Sequence, residues 1–318
     1  MRLTKSEAQY IINKYKLGKV RRIKKFKQGW VNNNFHILTE KGEYVMQISG
    51  KKLSKNKKQK LQLQFEVLSY LKEKEFPYDF PLPIRNKKGE YLVRYNKKPC
   101  WIYPYISGKI INKLAPSQIK EVGKALGQYH ILMKNFKTNY KYVFEKYKYF
   151  NKQFQKLTKI IKNRKIDILV KKSYPFIYSM HNKIKERKYK INVLPCHSDF
   201  NKSNLLFNNN KLTGIIDFDN ITLAPRASDV ALGIRRLGFI SRKIKNNQIQ
   251  LFLEGYESVW SLTKKEKEIL IPLMIRDCCD IFCWFYTGFT KYPSKKLRAL
   301  KDIISELKIL SSQEHITS

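Results

Sequence analysis

The sequence predicts an α+β protein of two lobes, a small N-terminal sheet lobe and a larger, mainly helical C-terminal lobe. Three observations carry that expectation. The chain has 318 residues, too many for one small core. Its early part reads as a helix and short strands, whereas from Pro116 onward apolar residues recur mostly at helical spacing. Between these helical stretches lies Cys196-His197-Ser198-Asp199-Phe200-Asn201-Lys202-Ser203-Asn204, followed on a short apolar run by Ile215-Ile216-Asp217-Phe218-Asp219. A hydrophobic share of 42% with 13% aromatic residues belongs to a folded globular protein rather than a disordered one.

The elements follow in order. Thr4-Lys5-Ser6-Glu7 reads as a capping box opening a helix that buries Ala8, Ile11, Ile12 and Tyr15. No apolar signal-peptide core precedes it, so a cytoplasmic protein is expected. Glu43 to Ile48 alternates, with Val45 and Gln47 on one face and Met46 and Ile48 on the other. Lys57 to Glu75 forms a helix with Leu61, Phe65, Leu68 and Leu71 on one face, and Pro77, Pro81 and Pro83 end it. Trp101 to Gly108 reads as a strand ending in a hinge. The helix from Pro116 carries Ile119, Val122, Leu126 and Met133 at core spacing, with His130 as a packed histidine. Residues 140 to 190 form a lysine-rich helical segment holding only Glu145, Asp167 and Glu186 as acids. Asn192-Val193-Leu194 leads into the motif as a strand. Leu205-Leu206-Phe207 leaves it, turns at Asn208-Asn209-Asn210 and returns along Leu212 to Ile216. That arrangement is expected to hold the motif's acidic and amide side chains on two adjacent strands.

The residue types have a chemical reason. His197, Asp199 and Asn204 fit H-x-D-x-x-x-x-N, and Asp217 follows an apolar strand. A hydroxyl acceptor of a phosphoryl group needs a carboxylate to orient it and take its proton. Magnesium is a hard cation that takes oxygen ligands, and an Asp with an Asn amide oxygen supplies them. There is no G-x-x-x-x-G-K-[ST], which excludes a P-loop kinase. The loop that would cover phosphates, Lys27 to Asn34, has one Gly and three Asn. Asn is the non-glycine residue best suited to a tight turn.

The runs HSDFNKSNLLF and LTGIIDFDNITLAPRASDVAL resemble the aminoglycoside phosphotransferase and choline kinase superfamily, whose members share a protein-kinase-like fold. The chain is most similar in appearance to homoserine kinase type II and spore-coat-type members. GWVNNNFHILTEKGEYVMQIS, the Phe65-Glu66-Val67-Leu68 helix and WIYPYISGK extend the resemblance over about residues 20 to 290. It implies a nucleotide-binding lobe over residues 1–106, ending in the hinge, and a catalytic and acceptor-binding lobe over 107–318. It implies Asp199 as catalytic base, Asn204 and Asp217 as magnesium ligands, and ATP as the second cofactor. His197 would be structural beneath the catalytic loop, and Asp229 would brace that loop. Apolar side chains of the hinge strand would flank the adenine while main-chain groups at Tyr103, Tyr105 and Ile106 read its edge, and Gln47 would meet the phosphates.

Two positions depart from the family pattern. Ser198 replaces the usual Gly, Ala or Asn. Gln47 stands where many kinases have a phosphate-binding Lys, so an amide donor replaces a cation there. Glu66 would be the usual partner of that Lys. Related small-molecule kinases tolerate other residues at this position, so Gln47 is compatible with an active enzyme. The implied function is phosphorylation of a hydroxyl on a small molecule, with a homoserine-like or sugar-like metabolite favoured. The alternatives are an aminoglycoside phosphotransferase and a catalytically silent binding or spore-coat protein. Intact Asp199, Asn204 and Asp217 argue against silence, and Gln47 argues for it. Aminoglycosides are polycations that need an acidic wall. Ten of the 25 acidic residues lie from Asp229 onward, but among many basic ones, which ranks drug phosphorylation lower.

The net charge of +40 raises the possibility of a polyanion partner. The lysines are spread along the whole chain, however, and no zinc finger, helix-turn-helix or RNP-like strand appears. No specific nucleic-acid partner is expected. No membrane span is expected either, since Arg276, Asp277 and Asp280 interrupt the most apolar stretch, Ile269 to Phe289. Cys278, Cys279 and Cys283 share that stretch with Phe282, Trp284 and Phe285 and read as core thiols rather than metal ligands.

Overall fold

The structure is a computed structural model that describes residues 2–26, 32–140, 164–185, 193–240, 242–288 and 293–314. The elements begin with α1 (Lys5–Tyr15), β1 (Val20–Lys25), β2 (Asn33–Thr39), β3 (Gly42–Ile48), α2 (Lys55–Glu73), β4 (Val93–Tyr95) and β5 (Lys98–Pro104). They continue with α3 (Pro116–Met133), α4 (Arg164–Lys185), β6 (Val193–Cys196), β7 (Leu205–Asn208), β8 (Lys211–Ile215), β9 (Thr222–Pro225) and α5 (Ala227–Gly238). The short strands β10 (Phe239–Ile240) and β11 (Lys243–Ile244) precede α6 (Asn246–Glu257), α7 (Lys264–Glu268), α8 (Leu270–Gly288) and α9 (Pro293–Glu314).

These elements form two compact units. The first draws on the described residues of Met1–Ile111, Phe136–Tyr140 and Asn204–Ile221, the second on those of Asn112–Asn135, Lys141–Ser203 and Thr222–Ser318. The division therefore differs from a single break after residue 106. Lys109 and Phe207 exchange main-chain hydrogen bonds of 2.8 and 2.9 Å, and Asp79 bonds Thr213 and Ile215, both at 2.8 Å. Those bonds stitch the β7–β8 hairpin to the first unit. Part of the expected lysine-rich segment, and Lys27 to Val31 of the expected phosphate-covering loop, lie outside the described residues.

In the first unit an antiparallel five-stranded sheet runs in the order β1-β2-β3-β5-β4. Period-2 alternation gives it two distinct faces. Phe35, Ile37, Met46, Ile48, Cys100 and Ile102 pack with Ala8, Ile11, Ile12 and Tyr15 of α1 in one core. Thr4 and Glu7 cap that helix reciprocally, at 3.2 and 2.8 Å. Asn34, Gln47 and Trp101 lie opposite one another on the other face, as do His36, Val45 and Tyr103. Helix α2 starts two residues earlier than the sequence expectation because Ser54 accepts from Lys57 N, at 3.2 Å, and so caps it. Its buried Leu61, Phe65, Leu68 and Leu71 form one stripe, and Phe65 meets Trp101 edge-on at 6.0 Å between ring centroids. Helix α2 thus covers part of the Gln47 face.

The second unit is mainly helical. Helices α3 and α6 cross closely because each has a glycine at the contact. A Cβ on Gly123 would fall 2.0 Å from the Phe252 carbonyl oxygen, and one on Gly255 would fall 1.9 Å from that of Lys120. Helix α8 buries Cys278, Cys279, Phe282 and Cys283 completely. Burial raises all three thiols, Cys278 to about 12, consistent with core packing and with unreactive thiols. Among the described residues no helix is long and apolar enough to cross a membrane.

Candidate functional site

Asn204 and Asp217 belong to the first unit and flank the β7–β8 hairpin. Asn204 ends a single 3-10 turn, Lys202–Asn204, and is buried. Its carbonyl accepts from Ile216 N at 2.9 Å, which fixes the base of the hairpin one residue before Asp217. Asp217 adopts a left-handed conformation, φ 65°, before the short turn Phe218–Asn220. That conformation costs a non-glycine residue about 1 kcal/mol and is tolerated where the surroundings over-determine it. Here buried Phe218 anchors the turn.

The same turn carries Asp219, whose carboxylate is gripped by side-chain amides. Oδ2 accepts from Asn32 Nδ2 and from Gln47 Nε2, the latter at 2.6 Å, and Oδ1 accepts from Gln64 Nε2 at 3.0 Å. Gln47 and Gln64 are only 6% and 4% exposed. Among the described residues no Lys or Arg forms an ion pair with Asp219. Gln47 therefore lies on the expected face of β3, but its donor is used by Asp219. The sequence expectation that Glu66 partners this position is corrected. Glu66 accepts from Gln62 at 3.0 Å and from Thr138 at 3.2 Å, and Gln64 is the α2 residue that joins Gln47. Two residues along a helix turn the side chain by about 200°, so Gln64 and Glu66 cannot both face the sheet.

The expected hinge residues end β5. Tyr103 sits beside Asp219 and Asp217, and burial, reinforced by those two carboxylates, pushes its phenol well up. Tyr105 N donates to Glu43 O at 2.9 Å, and its ring lies 4.7 Å from that of His36. Both rings, with Lys24 and Phe26, help line a cavity of about 730 Å³. Ile106 packs at Gly214 of β8, where an added Cβ would come within 2.8 Å of it.

His197 and Asp199 belong to the second unit. Here the expected hairpin needs correcting. Strand β6, which leads into the motif, pairs with β9, placing Cys196 opposite Thr222. The β7–β8 hairpin therefore carries Asn204 and Asp217 without Asp199, which sits in the loop after β6. Asp229, in the first turn of α5, holds that loop. Its Oδ2 accepts from His197 N at 2.7 Å and its Oδ1 from Ser198 N at 2.8 Å. His130 bridges Asp229 Oδ2, at 3.2 Å, and the Tyr256 hydroxyl, at 2.9 Å. Arg226 then joins that hydroxyl to Glu266. Burial works to raise the Asp229 carboxyl, but His130, His197 and the Ser198 N–H outweigh it and hold the group below the usual carboxylate range.

The loop geometry explains the Ser198 departure. Ser198 has φ 61°, a conformation that Gly and Asn adopt at less cost. Beyond it, Asn201 Nδ2 donates to Asp199 Oδ1 at 2.8 Å and to Asp199 O at 2.9 Å, orienting the carboxylate. His197 is buried, accepts from Asp199 N at 3.3 Å through Nδ1, and packs edge-on against Phe200. Sequence reasoning missed Asn201, Gln64 and Asp219. The signal for Asn201 was its place two residues after Asp199, the usual reach of a short amide side chain back to the chain before it.

Known proteins share this architecture. The chain is 25% identical over 281 residues to the homoserine kinase of Agrobacterium fabrum, spanning 86% of this chain and 82% of that protein. It is 21% identical over 270 residues to that of Methylobacillus flagellatus, spanning 82% and 77%. Among solved structures, a microcompartment-associated aminopropanol kinase superposes with a TM-score of 0.74 at 10% identity, covering 98% of both chains. Spectinomycin phosphotransferase, solved with ADP and spectinomycin, superposes with a TM-score of 0.68 at 15% identity, covering 96% and 98%. At these identities the structural neighbours establish the protein-kinase-like fold. The model of the phosphotransferase enzyme family (APH) matches residues 22–264, a span containing β2 to β9 and the whole H-x-D-x-x-x-x-N motif, and the chain belongs to that family.

Proposed function

We propose that the chain is an ATP- and magnesium-dependent phosphotransferase that phosphorylates a hydroxyl of a small molecule, with a homoserine-like or sugar-like metabolite as acceptor. The observation that carries this reading is the grip of Asp229 on the main-chain N–H groups of His197 and Ser198, at 2.7 and 2.8 Å. It fixes the backbone from which Asp199 projects, and Asn201 sets the direction of the Asp199 carboxylate. A group that orients a hydroxyl and takes up its proton needs that rigidity. Asp199 is the proposed base.

The donor set fits magnesium. The Asn204 amide oxygen and the Asp217 carboxylate are hard oxygen ligands, held at the two ends of one hairpin. Bound there, the ion would neutralise charge on the phosphates of ATP. Tyr103, Tyr105 and Ile106 are the proposed adenine contacts. The homoserine kinases named above support a metabolite acceptor, and the spectinomycin phosphotransferase keeps an antibiotic acceptor as the second reading. The protein is proposed to act in the cytoplasm, without a nucleic-acid partner.

The test is ATP consumption with homoserine, hexosamines, choline and kanamycin, each with and without magnesium. Magnesium-dependent turnover with one acceptor is expected. ATP with magnesium should also raise the melting temperature, because a ligand that binds only the folded state stabilises it. A well-folded protein showing no shift at millimolar nucleotide would defeat the reading.

A further inference from the structure

Arg226, the residue before α5, is buried with all five of its N–H donors engaged. Nε and Nη2 meet the two oxygens of Glu266 on α7 at 2.7 and 2.8 Å, and Nη2 also reaches Ser261 O at 2.7 Å. Nη1 divides between Trp260 O and the Tyr256 hydroxyl, both at 3.2 Å. The guanidinium carbon lies 3.7 Å from the centre of the Trp260 ring. A planar cation saturated in this way is a fixed point in the core.

From that point the hydrogen bonds toward Asp229 can run in one direction only. A guanidinium donates and never accepts, so the Tyr256 oxygen accepts from Arg226 and its own hydrogen goes to His130 Nδ1, 2.9 Å away. Burial pushes the Tyr256 phenol up, so it keeps the hydrogen it donates. His130 Nδ1 is thus the acceptor, and Nε2 carries the ring hydrogen and donates it to Asp229 Oδ2 at 3.2 Å. The far end requires the same order. Asp229, held below the usual carboxylate range, is ionised and offers only acceptors. Its N–H donates to Arg226 O at 3.0 Å, so the chain of bonds closes through the first turn of α5. His130, Tyr256 and Asp229 are each at most 1% exposed, which keeps water out of the circuit.

We propose that Tyr256 is a positioning residue for the phosphotransferase: anchored by Arg226, it fixes the His130 ring that holds Asp229 and, through Asp229, the loop from which Asp199 projects. Removing the hydroxyl leaves Nδ1 buried without a donor, and the imidazole loses one of the two bonds that set its orientation. Asp229 then grips the main-chain N–H groups of His197 and Ser198 less firmly. A base must lie within hydrogen-bond reach of the acceptor hydroxyl, so a small shift of its loop lowers kcat while the substrate contacts persist. This role rests on the phosphotransferase reading and extends the support of its base to α3 and α6.

The experiment uses the acceptor of highest wild-type turnover among homoserine, hexosamines, choline and kanamycin. Tyr256→Phe should lower kcat by about 10-fold or more and leave both KM values within about 3-fold. Two changes at His130 separate its two bonds. His130→Gln places an amide N–H near the position of Nε2 and should retain the larger share of kcat. His130→Asn is too short to reach Asp229 and should lose at least as much as Tyr256→Phe. Amide hydrogen exchange needs no acceptor, and in Tyr256→Phe it should quicken at His197 and Ser198 but not along α8. Should the His130 variants not fold, Tyr256→Phe, which removes one oxygen atom, decides the matter. Wild-type kcat in Tyr256→Phe, a loss confined to KM, equal kcat in the two His130 variants, or unchanged exchange at His197 and Ser198 would overturn the assignment and leave the phosphotransferase standing. Absence of turnover in the wild type would remove the phosphotransferase reading, and the exchange at His197 and Ser198 would still decide whether Tyr256 holds the loop.

Discussion

The side-chain amide of Gln47 donates to the Asp219 carboxylate over 2.6 Å, tying the C-terminal end of β3 to the turn that follows Asp217. Gln64 brings α2 to the same carboxylate at 3.0 Å. Strand, helix and turn are thus joined through one anion and neutral amides, at the position where many kinases use a lysine and a glutamate. A buried hydrogen bond to a charged group is worth about 1.5–3 kcal/mol.

Gln47→Leu should therefore lower stability by about 1–3 kcal/mol, read from the urea midpoint, because it leaves Asp219 short of a donor. Gln47→Lys should stay within about 1 kcal/mol of wild type, since a cation against Asp219 replaces the lost bond. A kinetic arm runs beside it. If Gln47 also reaches ATP, the leucine variant raises KM for ATP more than it lowers kcat. An unchanged urea midpoint in Gln47→Leu would show that the clamp contributes nothing.

Asp199→Asn should reduce turnover by at least about 100-fold while leaving ATP affinity within a few-fold, because the base acts on the acceptor. Asp217→Ala should weaken magnesium-nucleotide binding as well. Titration calorimetry with ATP and magnesium separates the two. Near-normal turnover in Asp199→Asn would reassign the base.

Asp229 links pH to stability. Its carboxyl is held below the usual range in the folded protein and returns to about 3.9 on unfolding, so the unfolded chain takes up the proton more readily. The stability it contributes is complete above the unfolded value and is lost as pH falls through the lower folded one. Asp229→Asn should cost about 1.5–3 kcal/mol at neutral pH, and less as the pH approaches 3. A wild-type-minus-variant difference that stays constant from pH 7 to pH 3 would contradict this.

Gly123→Ala should destabilise the second unit by about 3 kcal/mol or more, since the new methyl group meets the Phe252 carbonyl oxygen at 2.0 Å and two helix backbones must separate. Circular dichroism melts would show it. A melting temperature within about 1 °C of wild type would mean that α3 and α6 have room the geometry denies.

The contrast between what was legible in the chain and what was not has a simple physical basis. Alternation over Glu43 to Ile48 assigned the faces of β3, and the capping box at Thr4 and the apolar stripe of α2 announced their helices, because each depends on residues a few positions apart. H-x-D-x-x-x-x-N singled out Asp199 and Asn204 for the same reason. The grip of Asp219 on Gln47 and Gln64 joins residues 172 and 155 positions apart, and no local pattern encodes such a contact. Glu66 was the expected partner because its position matched a family pattern, yet rotation about α2 turns Gln64 toward the sheet instead. The pairing of β6 with β9 and the close crossing at Gly123 and Gly255 likewise arise only when distant segments pack. Local periodicity specifies what an element is, and long-range packing specifies which partners its side chains find.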